Sequence, residues 1–251
     1  MVRGGPGLGG IQPAQSDYFQ ATKGGGHGDY HMLVYGPNSV QECVDILYNA
    51  FDKADEYRIP VMILGDGMLG QIMEAVELPE MKDIEKLPKK DWAATGSGVG
   101  ENRRIVNSLY IEPDALEELN HRQFEKYDII ASRETRYEEY LCDDAEIVLT
   151  AYGTVARIAK SAVNILREQG IKAGLLRPVT LYPFPNEAFL KVANNPTVQR
   201  FVCSELSMGQ MIEDVKLAIE CKKPVDFFGR TGGNVMTPED IVEFVKGEVK
   251  K

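Results

Sequence analysis

The sequence Glu146-Ile-Val-Leu-Thr-Ala-Tyr-Gly-Thr-Val-Ala156 decides the fold, because it joins a strand, a glycine turn and the start of a helix. Ile147 to Tyr152 is predicted to be a buried strand, and the helix runs from Val155 to Gln169, where Gly170 ends it. A buried strand followed at once by an amphipathic helix is typical of proteins in which helices cover a parallel sheet.

The same alternation continues to the end of the chain. Strands are predicted at 171–176, 200–205 and 224–228, and helices at 208–221 and after the Thr237-Pro-Glu-Asp240 cap. Strands that alternate with helices of this length form an open, mostly parallel sheet. Residues 145–251 are therefore predicted to be an α/β domain of this class.

A second strand–helix–strand unit precedes it. Tyr30–Tyr35 and Val61–Leu64 are predicted strands, and the helix between them starts at a capping box formed by Ser39 and Glu42. A connection of this kind pairs the two strands in parallel. The helix is predicted to bury an apolar stripe that consists of Val40, Val44, Leu47, Phe51 and Ala54.

The middle of the chain has a different character. Residues 75–144 are charged and irregular, and the one regular element predicted there is an amphipathic helix between Glu112 and Tyr140. Residues 81–144 are therefore interpreted as a helical linker with a solvated charged face, which joins a partial domain at 1–80 to the α/β domain at 145–251.

Composition excludes several classes of function. The net charge of −10 argues against a nucleic-acid surface, which requires clustered lysine and arginine. The sequence has no apolar run as long as a membrane span and no secretory signal, so a cytoplasmic protein is predicted. The cysteines are too widely spaced for an iron–sulfur or zinc cluster within the chain, and they are Cys43, Cys142, Cys203 and Cys221.

The best candidate for a binding site is the glycine-rich stretch Arg3-Gly-Gly-Pro-Gly-Leu-Gly-Gly-Ile-Gln12, which a second cluster at 23–29 follows. Glycines leave the backbone N–H groups accessible, and a planar, permanently charged guanidinium beside them suits a carboxylate or a phosphate. The residue types alone leave open that Arg3 is a solvated or structural arginine.

Two other motifs give weaker indications. Gly5, Gly7 and Gly10 fit the letters of a dinucleotide fingerprint but lack the preceding strand that it requires, so a nicotinamide site is rejected. Gly65-Asp66-Gly67 has the first letters of the metal–diphosphate motif of thiamine enzymes. The next asparagine is the distant Asn102, however, and a turn after a buried strand explains the motif equally well.

Three further features have two interpretations each. His27 and His31 suggest a ligand pair, but no third ligand is evident, and hydrogen-bonded loop histidines are the simpler account. Gly153-Thr154 is either an anion site at a helix N-terminus or a tight turn. The loop Gly229-Arg-Thr-Gly-Gly233 is interpreted as a subunit contact, with ligand binding as the alternative.

Several motifs occur together along the whole chain. Arg3-Gly-Gly-Pro6 and Gln15-Ser-Asp-Tyr18 are followed by Ala21-Thr-Lys-Gly-Gly-Gly-His-Gly-Asp29. Later motifs are Pro60-Val-Met-Ile-Leu-Gly-Asp-Gly67, Tyr152-Gly-Thr-Val-Ala156, Arg177-Pro-Val-Thr180 and Phe228-Gly-Arg-Thr-Gly-Gly233. This combination resembles the α subunit of 2-oxoacid:ferredoxin oxidoreductases, and the stretch at 21–29 is similar to the branched-chain, 2-oxoisovalerate subgroup.

The resemblance implies a thiamine-dependent complex that converts a 2-oxoacid, coenzyme A and oxidised ferredoxin to acyl-CoA, CO₂ and reduced ferredoxin. It implies that this chain supplies part of a pyrimidine-binding domain and a transketolase C-terminal-like domain. Thiamine diphosphate and Mg²⁺ would be held mostly by a β subunit, and iron–sulfur clusters would lie on partner subunits. The implied partners are therefore the β and small subunits, ferredoxin, the oxoacid and coenzyme A, in an oligomeric assembly.

The resemblance also implies the substrate-binding residues. Arg3 matches the arginine that pairs with the substrate carboxylate, with Gly4 and Gly5 beside it. Gln12 stands where pyruvate-using and broad-specificity relatives have threonine, which argues against their specificity, and Leu8 favours an apolar substrate side chain. The resemblance assigns neither a catalytic residue nor a metal ligand to this chain.

One departure concerns the start of the sequence. Family members carry a Tyr-Pro-Ile-Thr-Pro segment and an activating glutamate before the arginine loop, and neither precedes it here. We therefore expect the chain to lack the first half of the pyrimidine domain and to be inactive alone. The alternatives are a non-catalytic assembly module, or the same enzyme acting on pyruvate or 2-oxoglutarate.

Overall fold

The structure is a computed structural model that describes residues 1–87, 89–94, 96 and 104–248. The strands are β1 (Leu33–Tyr35), β2 (Val61–Ile63), β3 (Tyr137–Tyr140), β4 (Ile147–Thr150), β5 (Ala173–Pro178), β6 (Thr180–Tyr182), β7 (Arg200–Glu205) and β8 (Val225–Gly229). The helices are α1 (Tyr18–Thr22), α2 (Val40–Tyr57), α3 (Pro113–Glu134), α4 (Gly153–Glu168), α5 (Asn186–Ala193), α6 (Met211–Ala218) and α7 (Pro238–Lys246). Within these ranges no helix is long and apolar enough to cross a membrane.

The larger sheet has five strands in the order β3-β5-β4-β7-β8. Its inner strands are parallel, and β3 alone pairs antiparallel, with β5. Helices α5 and α6 pack on one face, where Val148, Phe189 and Phe201 are buried. Helices α4 and α7 pack on the other face around Leu149 and Val202. The predicted open, mostly parallel α/β sheet is confirmed.

The smaller sheet has the order β2-β1-β6. Strands β1 and β2 are parallel and are joined by α2, as predicted. The third strand, β6, pairs antiparallel with β1 although it follows β5 of the larger sheet after one residue, Val179. The chain therefore passes directly from the larger sheet into the smaller one.

The predicted linker helix is present, and an edge strand follows it. The helix expected between Glu112 and Tyr140 is α3, which ends at Glu134, and residues 137–140 form β3, which the sequence did not predict. The edge strand is held by Glu138, whose carboxylate accepts from Arg177 Nε at 3.0 Å and from Lys160 Nζ at 2.9 Å. Burial alone would raise the pKa of Glu138, but these two cations hold the pKa below its ordinary value.

Helix α2 starts where the sequence predicts, but it buries a different face. The Ser39 hydroxyl accepts from the Glu42 N–H at 3.0 Å, as the predicted cap requires. The buried side chains are Ile46, Ala50 and Tyr57, of which Ile46 and Tyr57 pack with α3 against β1. Leu47 and Phe51 of the predicted stripe are exposed by 51% and 71%. The predicted stripe is therefore wrong at Leu47 and Phe51, whereas Val40, Val44 and Ala54 are half-buried. One helix can carry two adjacent apolar rows, and tertiary contacts select which of them is covered.

A buried carboxylate fixes α3 to α2. Glu134 accepts from the Tyr57 hydroxyl at 2.7 Å and forms an ion pair with Lys53 at 2.8 Å. Burial, and then the bond to Glu134, raises the pKa of Tyr57 to about 12. The hydroxyl therefore remains a donor throughout the neutral range, and the long helix of the middle segment is anchored to the smaller sheet.

We predict that Phe189→Ala lowers the free energy of unfolding by about 3–5 kcal/mol, because a fully buried ring leaves a cavity. Phe51→Ala makes the same chemical change on the exposed face of α2 and should cost less than about 1 kcal/mol. Chemical denaturation of both variants measures the difference. Equal losses would mean that Phe51 is buried after all.

Candidate functional site

The glycine-rich N-terminal stretch forms a closed loop. The Gly4 N–H donates to the Gln12 carbonyl at 2.8 Å, and Arg3 lies opposite Pro13 in a β-bridge. The Arg3 guanidinium crosses the loop and donates to the carbonyls of Gly4 at 2.8 Å and Gly7 at 3.0 Å. Gly9 (φ +49°) must be a glycine, because a Cβ there would collide with the Gly4 carbonyl and the guanidinium.

The Arg3 charge is not neutralised within the described part of the chain. No carboxylate in those ranges lies within 4.0 Å of the guanidinium, and both of its hydrogen bonds go to backbone carbonyls. These bonds hold the side chain in place, while the remaining N–H donors of the planar fork stay available. A permanently charged group held in this way is suited to an incoming anion.

Arg3 lies in a cavity of about 450 Å³ between the loop and the large sheet. The cavity is lined by Arg3, Gly5, Pro6, Gly7, Ser16, Asp17, Met208, Gln210 and Thr231. Gly4 is buried next to it, where an added Cβ would lie 3.5 Å from the backbone of Gly232. Leu8, which is 94% exposed, and the exposed Gln12 do not line the cavity. The structure thus brings together Arg3, Gly4 and Gly5, but leaves Leu8 and Gln12 outside.

The glycine loop at 229–233 lies against the same site. Thr231 contributes to the cavity wall, and Gly233 approaches the Gln12 side chain so closely that a Cβ would overlap it. This loop therefore contacts the Arg3 loop of its own chain. The predicted subunit contact of the loop stays a prediction.

The segment behind the Arg3 loop is held by the buried amide of Gln15. Its Nε2 donates to the Tyr152 carbonyl at 2.9 Å, and its Oε1 accepts from the Leu206 N–H at 3.0 Å. Tyr152 and Leu206 follow the carboxyl ends of β4 and β7, between which the strand order reverses. Open α/β sheets bind ligands at this crevice. Here the crevice is filled by the chain's own Gln15.

The neighbouring Tyr18 makes a second polar anchor. Its hydroxyl donates to the Asp214 carboxylate at 2.6 Å, and Lys23 forms an ion pair with the same carboxylate. Burial, followed by the charge of Asp214, raises the pKa of Tyr18 far above its ordinary value. The Gln15-Ser-Asp-Tyr18 motif thus holds the N-terminal segment against α6.

Gly65-Asp66-Gly67 caps a helix. Asp66 is 3% exposed, and its Oδ1 accepts from the Thr154 hydroxyl at 2.9 Å and the Met68 N–H at 2.9 Å. The carboxylate thereby occupies the N-terminus of α4, the position at which the sequence suggests an anion site. Gly153 has a φ of +57°, as the tight turn requires. Asn102, the other residue of the metal hypothesis, lies outside the described residues.

The histidines of the second glycine cluster lie in different environments. His27 is exposed, whereas His31 stacks on the Tyr182 ring at 4.1 Å between centroids and contacts Tyr127. Burial lowers the pKa of His31, so the ring is neutral at pH 7. In the parts of the chain that the structure covers, no three His, Cys, Asp or Glu side chains are grouped to hold a metal ion.

The cavity residues that the sequence did not indicate come from two segments. Ser16 and Asp17 belong to the Gln15-Ser-Asp-Tyr18 motif, which could have indicated them as candidates. Met208 and Gln210 lie in the turn after β7, about 200 positions away in the chain. The sequence placed both residues at the start of a helix predicted at 208–221, but α6 begins at Met211, and only the folded sheet brings the preceding turn next to Arg3.

The structure is that of an α/β protein with an arginine in a cavity between two distant segments of the chain. The family model for pyruvate flavodoxin/ferredoxin oxidoreductase, thiamine diphosphate-binding, matches residues 1–139. The model for pyruvate:ferredoxin oxidoreductase core domain II matches residues 145–241. The chain therefore belongs to this oxidoreductase family, and the predicted resemblance is confirmed.

The similar proteins are subunits of 2-oxoacid oxidoreductases. The ketoisovalerate oxidoreductase subunit VorB of Methanothermobacter marburgensis is 47% identical over 98% of this chain and 68% of its own length. The 2-oxoglutarate synthase subunit KorA of Methanothermobacter thermautotrophicus is 33% identical over 98% of the chain and 71% of its own length. The sequence identity is thus higher to a ketoisovalerate oxidoreductase subunit, of the branched-chain subgroup, than to a 2-oxoglutarate synthase subunit.

A solved structure shows the same fold. It is a 2-oxoglutarate:ferredoxin oxidoreductase from Magnetococcus marinus, determined with 2-oxoglutarate, coenzyme A and succinyl-CoA bound. The TM-score is 0.74 at 21% identity, over 99% of this chain and 47% of that chain. The protein therefore spans about half the length of that chain. At this low sequence identity the comparison shows a shared fold.

We predict that Asp66→Ala lowers the free energy of unfolding by about 1–3 kcal/mol, because four buried or partly buried donors lose their acceptor. Asp66→Asn keeps one oxygen acceptor and should lose less. Thermal unfolding of both variants, with and without Mg²⁺, measures the effect. A Mg²⁺-dependent stabilisation that the substitutions abolish would instead make Asp66 a metal ligand.

Proposed function

We propose that this chain is the substrate-carboxylate-binding subunit of a complex that oxidatively decarboxylates 2-oxoisovalerate. The complex would form acyl-CoA and CO₂ and pass electrons to ferredoxin. The proposal rests on one observation above all. Arg3 stands in the cavity with no acidic partner in the described ranges, on the loop whose motif resembles the family's carboxylate-binding loop.

The chemistry of the oxoacid fits this arrangement. At neutral pH a 2-oxoacid carries an ionised carboxylate beside the reacting carbonyl, and a guanidinium pairs with a carboxylate through two parallel N–H bonds. Gly4 and Gly5 bring no side chains to the loop, so a small substrate can approach the guanidinium closely. Arg3 would therefore fix the substrate's orientation and leave the 2-oxo carbon facing outward, away from this chain.

We propose that this chain shares its cofactor site with other subunits. The described residues hold no group of three metal-ligating side chains, and the Asp66 oxygens accept hydrogen bonds within the fold. When bound, thiamine diphosphate supplies the nucleophilic carbon that attacks the 2-oxo group. We propose that a β subunit holds it with Mg²⁺ and that other subunits carry the iron–sulfur clusters. No step of the reaction is assigned to this chain beyond binding and orienting the oxoacid.

The choice of oxoacid follows from the loop and from the relatives. We propose that Leu8 and Gln12, which lie at the exposed tip and end of the loop, contact the substrate side chain only in the assembled cytoplasmic complex. The greater identity to ketoisovalerate oxidoreductase subunits than to 2-oxoglutarate synthase subunits supports a branched aliphatic substrate.

The first test is assembly and activity together. We expect the chain, extended by the family's N-terminal segment with the activating glutamate and carrying a C-terminal affinity tag, to co-purify partner subunits and with them to reduce ferredoxin using 2-oxoisovalerate and coenzyme A. Turnover of 2-oxoisovalerate should exceed that of pyruvate and 2-oxoglutarate. Co-purified partners that oxidise none of these acids would instead support a non-catalytic assembly module. Preference for another oxoacid would retain the enzyme class and reject the substrate.

The second test addresses Arg3 in the same complex. Arg3→Ala should raise the KM for the oxoacid roughly 10- to 100-fold, since losing a hydrogen bond to a charged group costs about 1.5–3 kcal/mol. Arg3→Lys keeps the charge but not the fork, so an intermediate KM is expected. Arg122→Ala, on the exposed face of α3, is the control. An unchanged KM in Arg3→Ala would refute the carboxylate role.

A further inference from the structure

The turn after β7 presents one unexplained side chain to the cavity. Met208 is 81% exposed although methionine is apolar, and it lies on the wall across from the Arg3 loop. Apart from Met208, the side chains that line the cavity are polar, charged or absent, with Pro6 as the exception. An apolar substituent held in this cavity would therefore contact Met208 and Pro6.

The backbone under Met208 is held by a buried carboxylate. Glu205 is fully buried and accepts from the Ser207 hydroxyl at 2.8 Å and the Gln210 N–H at 3.0 Å. The same carboxylate accepts from the Met211 and Ile212 N–H groups at the start of α6. The turn is therefore fixed to the end of the sheet, and its position does not depend on Met208.

The other side chains of the turn already have structural roles. Leu206 and Ser207 are buried, and Gly209 (φ +101°) packs against the Phe227 ring. Gln210 donates to the Ser16 carbonyl at 2.7 Å, which closes the turn onto the motif at 15–18. Met208 alone in this turn contributes neither a buried surface nor a side-chain hydrogen bond to the described fold. A rigid turn that exposes one adaptable apolar side chain is suited to ligand contact.

We infer that Met208 is a specificity-determining residue, which packs against the aliphatic side chain of a branched 2-oxoacid while Arg3 holds its carboxylate. This inference rests on the proposed function and deepens it. Pyruvate has only a methyl group beyond the 2-oxo carbon, so it would reach Met208 less than 2-oxoisovalerate does. Met208 would thus favour the branched acid through apolar contact and not through charge.

The test uses the tagged, co-purified complex and compares kcat/KM for 2-oxoisovalerate and pyruvate. Met208→Ala should lower kcat/KM for 2-oxoisovalerate about 5- to 20-fold and for pyruvate less than about 2-fold, as expected for lost apolar contact in a pocket. Met208→Leu conserves the volume and should stay within about 3-fold of the native protein for both acids. Met81→Ala is the matched control, since Met81 is 92% exposed and does not line the cavity.

The outcomes distinguish a failure of this inference from a failure of the proposed function on which it rests. A selective loss for 2-oxoisovalerate in Met208→Ala, rescued by leucine, supports the specificity role. An equal loss for both acids, or no loss, overturns it, while the effect of Arg3→Ala on both acids leaves the proposed function standing. If the complex oxidises no 2-oxoacid at all, the proposed function fails, and the inference fails with it.

Discussion

The structure depends on one buried amide. Gln15 uses its donor and its acceptor to join the N-terminal segment to the ends of β4 and β7, the two strands at which the sheet order reverses. Without it, the Leu206 N–H would be buried and unpaired, which costs more than the bond itself contributes, and the Tyr152 carbonyl would keep only its bond from the Ala156 N–H at 3.3 Å. The Arg3 loop lies on one side of Gln15 and Tyr18 on the other, so both take their position from this contact.

Because the crevice is filled, the Arg3 cavity lies farther out. In an open sheet of this type the ligand crevice lies outside the carboxyl ends of the central strands. Here Gln15 and Tyr18 occupy that space, and the cavity forms between their segment and the turn that carries Met208. The cationic group and the apolar group of the cavity therefore come from opposite ends of the chain. Their separation is set by the hydrogen bonds of Gln15, Glu205 and Gln210.

Local signals in the sequence predicted those parts of the molecule that depend on local chemistry. The cap at Ser39, the parallel pair β1–β2 and the unit from β4 to α4 each follow from a contiguous stretch. The sequence did not predict the edge strands β3 and β6, because an edge strand becomes visible only through its partner, and it also missed the short helix α5. The sequence also did not predict the buried face of α2 or the position of Met208 beside Arg3, because both depend on contacts between distant segments of the chain. Arg3 was found because glycines around an arginine are a local pattern.

The direct passage from β5 to β6 limits how the polypeptide can be divided. The composition changes near residue 144, yet a fragment ending there would lose β6 and keep only the two strands β1 and β2 of the smaller sheet. Two strands seldom hold together alone in water, and β1 would present an open apolar edge to any other extended chain. Such a fragment should self-associate through that edge. In the folded protein β6 pairs with β1 and covers the edge, so the later part of the chain prevents this association.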